Sequence, residues 1–302
     1  MAQAKLIPIF KATTGLNNAL DPVRLSYDLK TGVTELAQLV NMNVDNSGRP
    51  FSRLGRSTAK RAEASRCGFS NGETCLYVAG TEMYQLLPDY SRVLVRTALT
   101  SGARMRYYPI AGRIYYTNGY EKGYVFKGID FAWQKGTFTA PGNPKNIYSN
   151  PPTGHLVSWF AGRALMAKDD VVFASLPSFY GVFDLHSDMK LFPNRVTMLQ
   201  PTPAGLWVGT TTQILFYRGT EWRKTKREEK APFGVLEGSS VWCPAEKMGG
   251  PKSVIFTTPQ GICSGSEDGT FTNHTYNKLI FPAGRYASAA IVDSRYLVLI
   301  EA

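Results

Sequence analysis

A short unit recurs along this chain: a turn residue, often Gly, then a short apolar strand, a second turn and a second apolar strand. It occurs at 73–87 (Glu-Thr-Cys-Leu-Tyr-Val-Ala-Gly-Thr-Glu-Met-Tyr-Gln-Leu-Leu), 112–119, 162–174, 205–217, 252–263 and 294–300. The copies begin roughly 40 to 50 residues apart, the period expected when each repeat is one small antiparallel sheet and the sheets stand radially. Such a sheet cannot bury both faces alone, so each copy needs a neighbour on either side and the chain needs a way to close. The expected fold is all-β, a β-propeller of about six blades. A sandwich with irregular strand spacing is the alternative.

The last copy ends after one strand, Tyr296 to Ile300, and so lacks outer strands. A hairpin-like segment nearer the start has no blade of its own: Leu39 to Val44, a turn at Asp45-Asn-Ser-Gly48, then Arg49 to Leu54. It is expected to complete the last blade and lock the ring. The organisation that follows is an extended N-terminal arm over 1–38 and a propeller domain over 39–302, in which 39–66 holds the closing strands and a basic segment. Thr34 to Val40 is the longest helical candidate, and Pro and Gly keep 141–152 out of regular ladders. Asn71-Gly72, Asn118-Gly119 and Asp268-Gly269 read as hairpin turns. Tyr180 to Leu185 is the strand expected in the long link from Ala174 to Arg195.

With 302 residues the chain has room for one large β domain or two ordinary ones, and the continuous phasing favours one. No apolar run is long enough to cross a bilayer, and Met1 to Phe10 lacks the apolar core of a signal peptide, so a product of the cytoplasm without membrane insertion is expected. The four cysteines form no C-x-x-C pair, which argues against zinc, and Cys75 and Cys263 read as small buried hydrophobes.

The formal charge of +11 favours contact with polyanions or acidic proteins. Arg49, Arg53, Arg56, Lys60, Arg61 and Arg66 form a one-sided basic segment, with Glu63 as its acid. A second cluster, Arg218 and 223–230, is offset by Glu221, Glu228 and Glu229 and reads as a solvated loop of mixed charge.

Chemistry is sparse. The three histidines, His155, His186 and His274, belong to no metalloprotease, nucleophile-elbow or phosphate-loop motif, and no catalytic, metal or cofactor-binding residue is assigned. Ser264 to Phe271 is reminiscent of the Asp-box turn of sialidase-like propellers, with Asp268 and Gly269 adjacent. Of the five tryptophans, Trp133 and Trp222 adjoin polar turns and are expected to be exposed, and the others pack the core.

Residues 15–18 (Gly-Leu-Asn-Asn), Asp21-Pro22, 36–45 (Leu-Ala-Gln-Leu-Val-Asn-Met-Asn-Val-Asp) and 47–55 (Ser-Gly-Arg-Pro-Phe-Ser-Arg-Leu-Gly) resemble the opening of virion structural proteins of tailed bacteriophages. The likeness is to β-propeller tail components of the nozzle or hub type and covers the first fifth of the chain in motif terms. It implies a non-enzymatic part of the tail nozzle, hub or adaptor that joins other tail proteins and lines or gates the DNA exit path. It also implies a homo-oligomeric ring, with a hexamer favoured, in a virion assembled in the bacterial cytoplasm. Gly15, Leu16, Asn17, Asn18, Asp21 and Pro22 would serve subunit docking. The basic segment would touch an acidic subunit face or packaged DNA without reading bases. A receptor- or glycan-binding propeller at the tail tip, using Trp133 and Trp222, is the alternative. A glycoside-cleaving propeller would need converging carboxylates.

Overall fold

The computed structural model describes residues 12–28, 30–40, 42–45, 47–52, 64–136, 148–243, 252–284, 286–292 and 294–301. The described residues form an all-β, propeller-like fold of successive antiparallel sheets, with two single helical turns at Pro22–Arg24 and Trp222–Lys224. The first sheet holds Ser65–Ser70, Cys75–Ala79, Glu82–Leu86 and Arg92–Arg96 in chain order, and the second holds Arg106–Ile110, Arg113–Thr117, Lys122–Phe126 and Ile129–Phe131. In the third, Leu156–Phe160, Arg163–Lys168 and Val171–Leu176 are followed by a split outer layer, where both Phe179–Asp184 and Met189–Leu191 pair with Val171–Leu176. The fourth sheet runs Val196–Thr202, Gly205–Thr210, Ile214–Arg218, Lys226–Ala231, and the fifth Val241–Cys243, Ser253–Thr258, Gly261–Ser266, Phe271–Asn273. The sixth has two strands, Ala287–Val292 and Arg295–Ile300.

The first five copies of the recurring motif therefore supply the middle of a sheet, and the sixth supplies the outer strand of the two-stranded last sheet. The physical reason is visible in Gly205–Thr210, where every residue is buried. A middle strand covered on both faces must be apolar throughout, whereas an outer strand such as Lys226–Ala231 can carry charge. The Asn-Gly and Asp-Gly turns fall where expected, with φ of +93° at Gly72, +92° at Gly119 and +87° at Gly269.

The core lies between sheets. Leu76, Val78 and Met83 of the first meet Ile114, Tyr116 and Val125 of the second. Ile110 and Tyr115 of the second meet Val157, Met166 and Phe183 of the third. Leu165 and Val172 of the third meet Leu206, Val208 and Leu215 of the fourth. Trp207 and Phe216 of the fourth meet Val254, Phe256 and Cys263 of the fifth. Gly265 is fixed by that last contact, because a Cβ there would sit 2.4 Å from the Trp207 ring. The fifth and sixth sheets are joined differently: the Tyr296 hydroxyl donates to Ser239 O at 2.7 Å and lies 2.9 Å from Thr257 Oγ1.

The N-terminal region departs from the expected extended arm. Ala12–Leu16 pairs in parallel with Val33–Leu36, which pairs with Tyr27–Asp28, so the helical candidate at Thr34 begins as a strand held on both sides. The expected hairpin forms between Met42–Val44 and Pro50–Ser52. Among the described residues, however, it pairs with no strand of the sixth sheet, and Thr13 N instead donates to Gly48 O at 2.7 Å. The sixth sheet also contains one strand more than its motif indicated, Ala287–Val292. Lys226–Ala231 replaces the expected solvated loop: Glu228 takes Arg218 at 2.5 Å and Lys230 at 2.8 Å, which neutralises the charge across adjacent strands. The proline-rich break at 141–152 and the start at Met1 to Phe10 fall largely or wholly outside the described residues.

Burial pushes the Tyr296 phenol up to about 12, against hydrogen bonds that favour its ionised form. Its folded value lies above the unfolded one, so the stability it contributes is present below about pH 10 and is lost as pH rises toward 12. Tyr296→Phe is expected to cost about 1–2 kcal/mol in urea unfolding at neutral pH and to flatten the alkaline limb of the stability profile.

Candidate functional site

The first strands of the second, third and fourth sheets, Arg106–Ile110, Leu156–Phe160 and Val196–Thr202, lie side by side, with residues at their starts sharing one hollow and residues at their ends another. Polar bonds tie these inner strands together. Ser158 Oγ donates to Leu199 O at 3.3 Å, and Gln200 Nε2 to Ser240 Oγ at 3.1 Å. A cavity of about 270 Å³ lies among them, and residues from all six sheets or their leading loops line it, including Phe69, Arg106, Thr197, Gly238 and Ser288. Further hollows lie at the two ends of these strands.

At the end where the inner strands begin, a hollow of about 400 Å³ is lined by Arg104, Tyr120, His155, Lys168, Arg195 and Glu237, among others. Glu237 is 6 % exposed and receives Arg195 Nε and Nη2, both at 3.4 Å, while Arg106 Nη2 lies 3.6 Å away. Arg195 also reaches Asp169 at 2.9 Å. Arg104 stands 4.5 Å over the Tyr286 ring and pairs with Glu301, linking the mouth of the second sheet to the last strand. Burial, then the neighbouring Arg106 charge, pull the Arg104 guanidinium below its ordinary value.

His155 is buried in this hollow with Nε2 2.7 Å from Val196 O. A carbonyl only accepts, so Nε2 carries the proton and Nδ1 is the bare nitrogen. Burial lowers its pKa, with the Val196 bond and Glu237 opposing that shift.

At the other end, where the inner strands finish, Tyr108, Trp159, Phe160, Pro201, Pro203 and Trp242 line a hollow of about 460 Å³. Trp159 is 37 % exposed there, and Lys252 Nζ sits 5.5 Å over Trp242 while pairing with Glu267 at 3.4 Å. This aromatic mouth corrects the expectation for the other two tryptophans. Trp133 and Trp222 are each 3 % exposed. Trp133 packs 4.7 Å from Tyr115 and donates to Tyr180 O at 2.9 Å, and Trp222 lies beneath Lys190 and joins the core between the third and fourth sheets. Polar neighbours in sequence did not expose them, because each ring turns into an apolar seam and Trp133 finds an acceptor for its N–H.

The residues read as docking groups have partners within the chain. Gly15, at φ +112°, sits where the strand pairing slips, and Leu16 pairs with Leu36. Asn17 is 3 % exposed and donates to Glu35 at 3.1 Å. Asn18 Nδ2 donates to Ile280 O at 3.1 Å and its Oδ1 accepts from Ile280 N at 2.8 Å. Asp21 caps the turn at Pro22 by accepting from Val23 N at 2.9 Å. In the basic segment, Arg49 is exposed and Arg66 Nη2 donates to Gly80 O at 3.1 Å. Arg53, Arg56, Lys60 and Arg61 lie outside the described residues. Asp268 behaves as a turn group: bonds from Ser266 and Thr270 hold its carboxyl down at about 2. His274 contacts Ser264 at 2.7 Å, and no cluster of metal-ligating side chains occurs among the described residues. Among the described residues no helix is long and apolar enough to cross a membrane.

No family model matches the sequence, and no curated protein matches it. Solved structures do. Streptogramin B lyase is 10 % identical over 86 % of this chain and 83 % of its own, with a TM-score of 0.49. A gluconolactonase from Xanthomonas campestris is 12 % identical over 80 % of this chain and 84 % of its own, at 0.47. The extracellular domain of a hybrid two component system from B. thetaiotaomicron is 10 % identical over 80 % of this chain, at 0.48, and this chain spans 32 % of its length. Likenesses at this level say nothing about activity.

His155 is expected to titrate below its ordinary value of 6.5 and to be neutral at pH 7, which a proton NMR titration of the ring reads directly. Its folded value is depressed, so the contribution it makes to stability is present above pH 6.5 and declines as pH falls through the folded value.

Proposed function

We propose that this chain is a non-enzymatic structural component of a bacteriophage tail, a six-sheet propeller whose copies form a homo-oligomeric ring in the nozzle, hub or adaptor. In that role it joins neighbouring tail proteins and lines or gates the DNA exit path, with six copies favoured. The observation that carries this reading is the unfinished sixth sheet. Its outer strand, Arg295–Ile300, has no further strand beside it among the described residues. Leu297 and Leu299 on that strand are 49 % and 75 % exposed. An apolar strand with a free edge invites pairing with another chain, and a subunit built to assemble has a use for it. The cavity shared by all six sheets supports a ring with six blades, and the opening motifs of residues 15–55 support the virion setting. The basic segment from Arg49 to Arg66 fits contact with an acidic subunit face or with phosphate.

The test uses Leu297→Asp combined with Leu299→Asp. Both side chains face outward, so folding stability should change by less than about 0.5 kcal/mol per site, while incorporation into virions should fall sharply. Cryo-electron microscopy of the parent virion should place the chain in a symmetric ring around the DNA path. Normal virions from the double variant, or isolated propellers at the tail tip, would refute the ring.

A second reading draws on the aromatic mouth: glycan or receptor binding at the tail tip through Trp159 and Trp242. Sugar faces stack on exposed aromatic rings, and Trp159 is available for this. The purified chain would then bind a glycan array and lose that binding on Trp159→Ala. An array at background removes this reading.

A further inference from the structure

We infer that the wall of the central cavity where Arg106 and Thr197 stand is a binding site for a small free oxyanion of phosphate size, held by the Arg106 guanidinium and the Thr197 hydroxyl. Both residues line the central cavity and approach Glu237 and its flanking loop, Arg106 through its 3.6 Å ion pair and Thr197 through a second small hollow that Glu237 also lines. Arg106 Nε and Nη2 are buried, and among the described residues no atom accepts a hydrogen bond from either. Thr197 is 5 % exposed and its Oγ1 likewise has no hydrogen-bond partner among the described residues. Buried donors of this kind are costly unless something accepts from them.

The charge around them selects the sign of the ligand. Arg106 lines the central cavity, and Arg104, Lys168 and Arg195 line the hollow at the start of the same inner strands, with the carboxylates of Asp169 and Glu237. Glu237 is already engaged by both Arg195 nitrogens, and its distance from Arg106 exceeds a hydrogen bond. His155 is neutral and adds no positive charge of its own. Arg104 is paired with Glu301, so the guanidinium left without a close carboxylate is that of Arg106, 3.6 Å from a Glu237 already held by Arg195.

The backbone holds this guanidinium in place. Gly238 has φ of +91°, and a Cβ there would lie 2.6 Å from Arg106 Nη2, 2.9 Å from Nη1 and 2.2 Å from Ala287 O. Only glycine lets the guanidinium lie against this loop. A planar, always-charged fork with two free N–H positions is suited to an oxyanion, and the Thr197 hydroxyl on the wall of the same cavity adds a further donor. Tyr107 also lines the cavity and has a buried, unpartnered hydroxyl, but it follows Arg106 in the strand, so its side chain leaves the opposite face and its ring stacks on Phe69 at 5.4 Å. It takes no part in the site.

The site is a property of the single chain and stands apart from the ring reading. The test is isothermal titration calorimetry of inorganic phosphate into the purified chain at low ionic strength, with sodium chloride as the control. Saturable binding near one phosphate per chain is expected. Arg106→Gln and Thr197→Val should each weaken it by about tenfold or more, the loss of one charge-assisted bond. Arg49→Gln, at an exposed turn, should leave it unchanged. Thr197→Val nearly preserves shape, so it decides the matter if Arg106→Gln fails to fold. Heat no different from chloride, or equal binding by parent and Thr197→Val, would overturn the site.

Discussion

The whole molecule depends on one constraint: a four-stranded sheet with apolar middle strands has two faces to cover. From the first sheet to the fifth, facing surfaces are covered by the next sheet in the chain, through Met83 and Tyr116, then Tyr115 and Phe183, then Leu165 and Leu215, then Trp207 and Phe256. A fully buried Leu or Phe contributes about 1.5–3 kcal/mol, so these seams outweigh any single polar bond in the fold. They also explain why the contact between sheets is so tight that Gly265 has no room for a methyl group against Trp207.

The seams weaken toward the end of the series. The fifth and sixth sheets meet through the Tyr296 hydroxyl, and the mouth of the second sheet reaches the last strand through Arg104, with its ring contact to Tyr286 and its ion pair to Glu301. Polar and cationic contacts depend on exact geometry, while hydrophobic seams tolerate adjustment. A joint built on the former can be altered by a ligand or a partner without dismantling the rest. The buried carboxylates follow the same division of labour. Asp188, fully buried, is clamped by Arg163 at 2.8 Å and Arg223 at 2.7 Å and fastens the third sheet to the fourth, whereas Glu237 is shared between arginines at the cavity mouth.

The repeated middle strands were legible in sequence because burial on both faces forces an uninterrupted apolar run and the turns require Gly. Ala287–Val292 was not legible: Ala-Ser-Ala-Ala has weak strand preference, and pairing with Arg295–Ile300 supplies what the residues lack. The parallel pairing of Ala12–Leu16 with Val33–Leu36 was hidden for a related reason, since no local pattern announces a partner some twenty residues away. Trp133 and Trp222 show that flanking polarity is a poor guide to exposure when a large ring can turn inward. Nor could the cavity mouth be read in advance. Arg104, Arg106, Arg195 and Glu237 are scattered over three sheets, and only the stacking of inner strands gathers them.

Asn18 and Ile280 exchange two hydrogen bonds across 262 positions of sequence. A contact of that span cannot act as a seed for folding, because the entropy of closing so long a loop must be met by structure already in place. The sheets between must be assembled first, one seam after another, before the early strands find their seat beside Lys278 and Ile280. Until that late step the N-terminal sheet is held to nothing at the far end of the chain, and a second copy in the same state could offer its own Ile280 to the same asparagine.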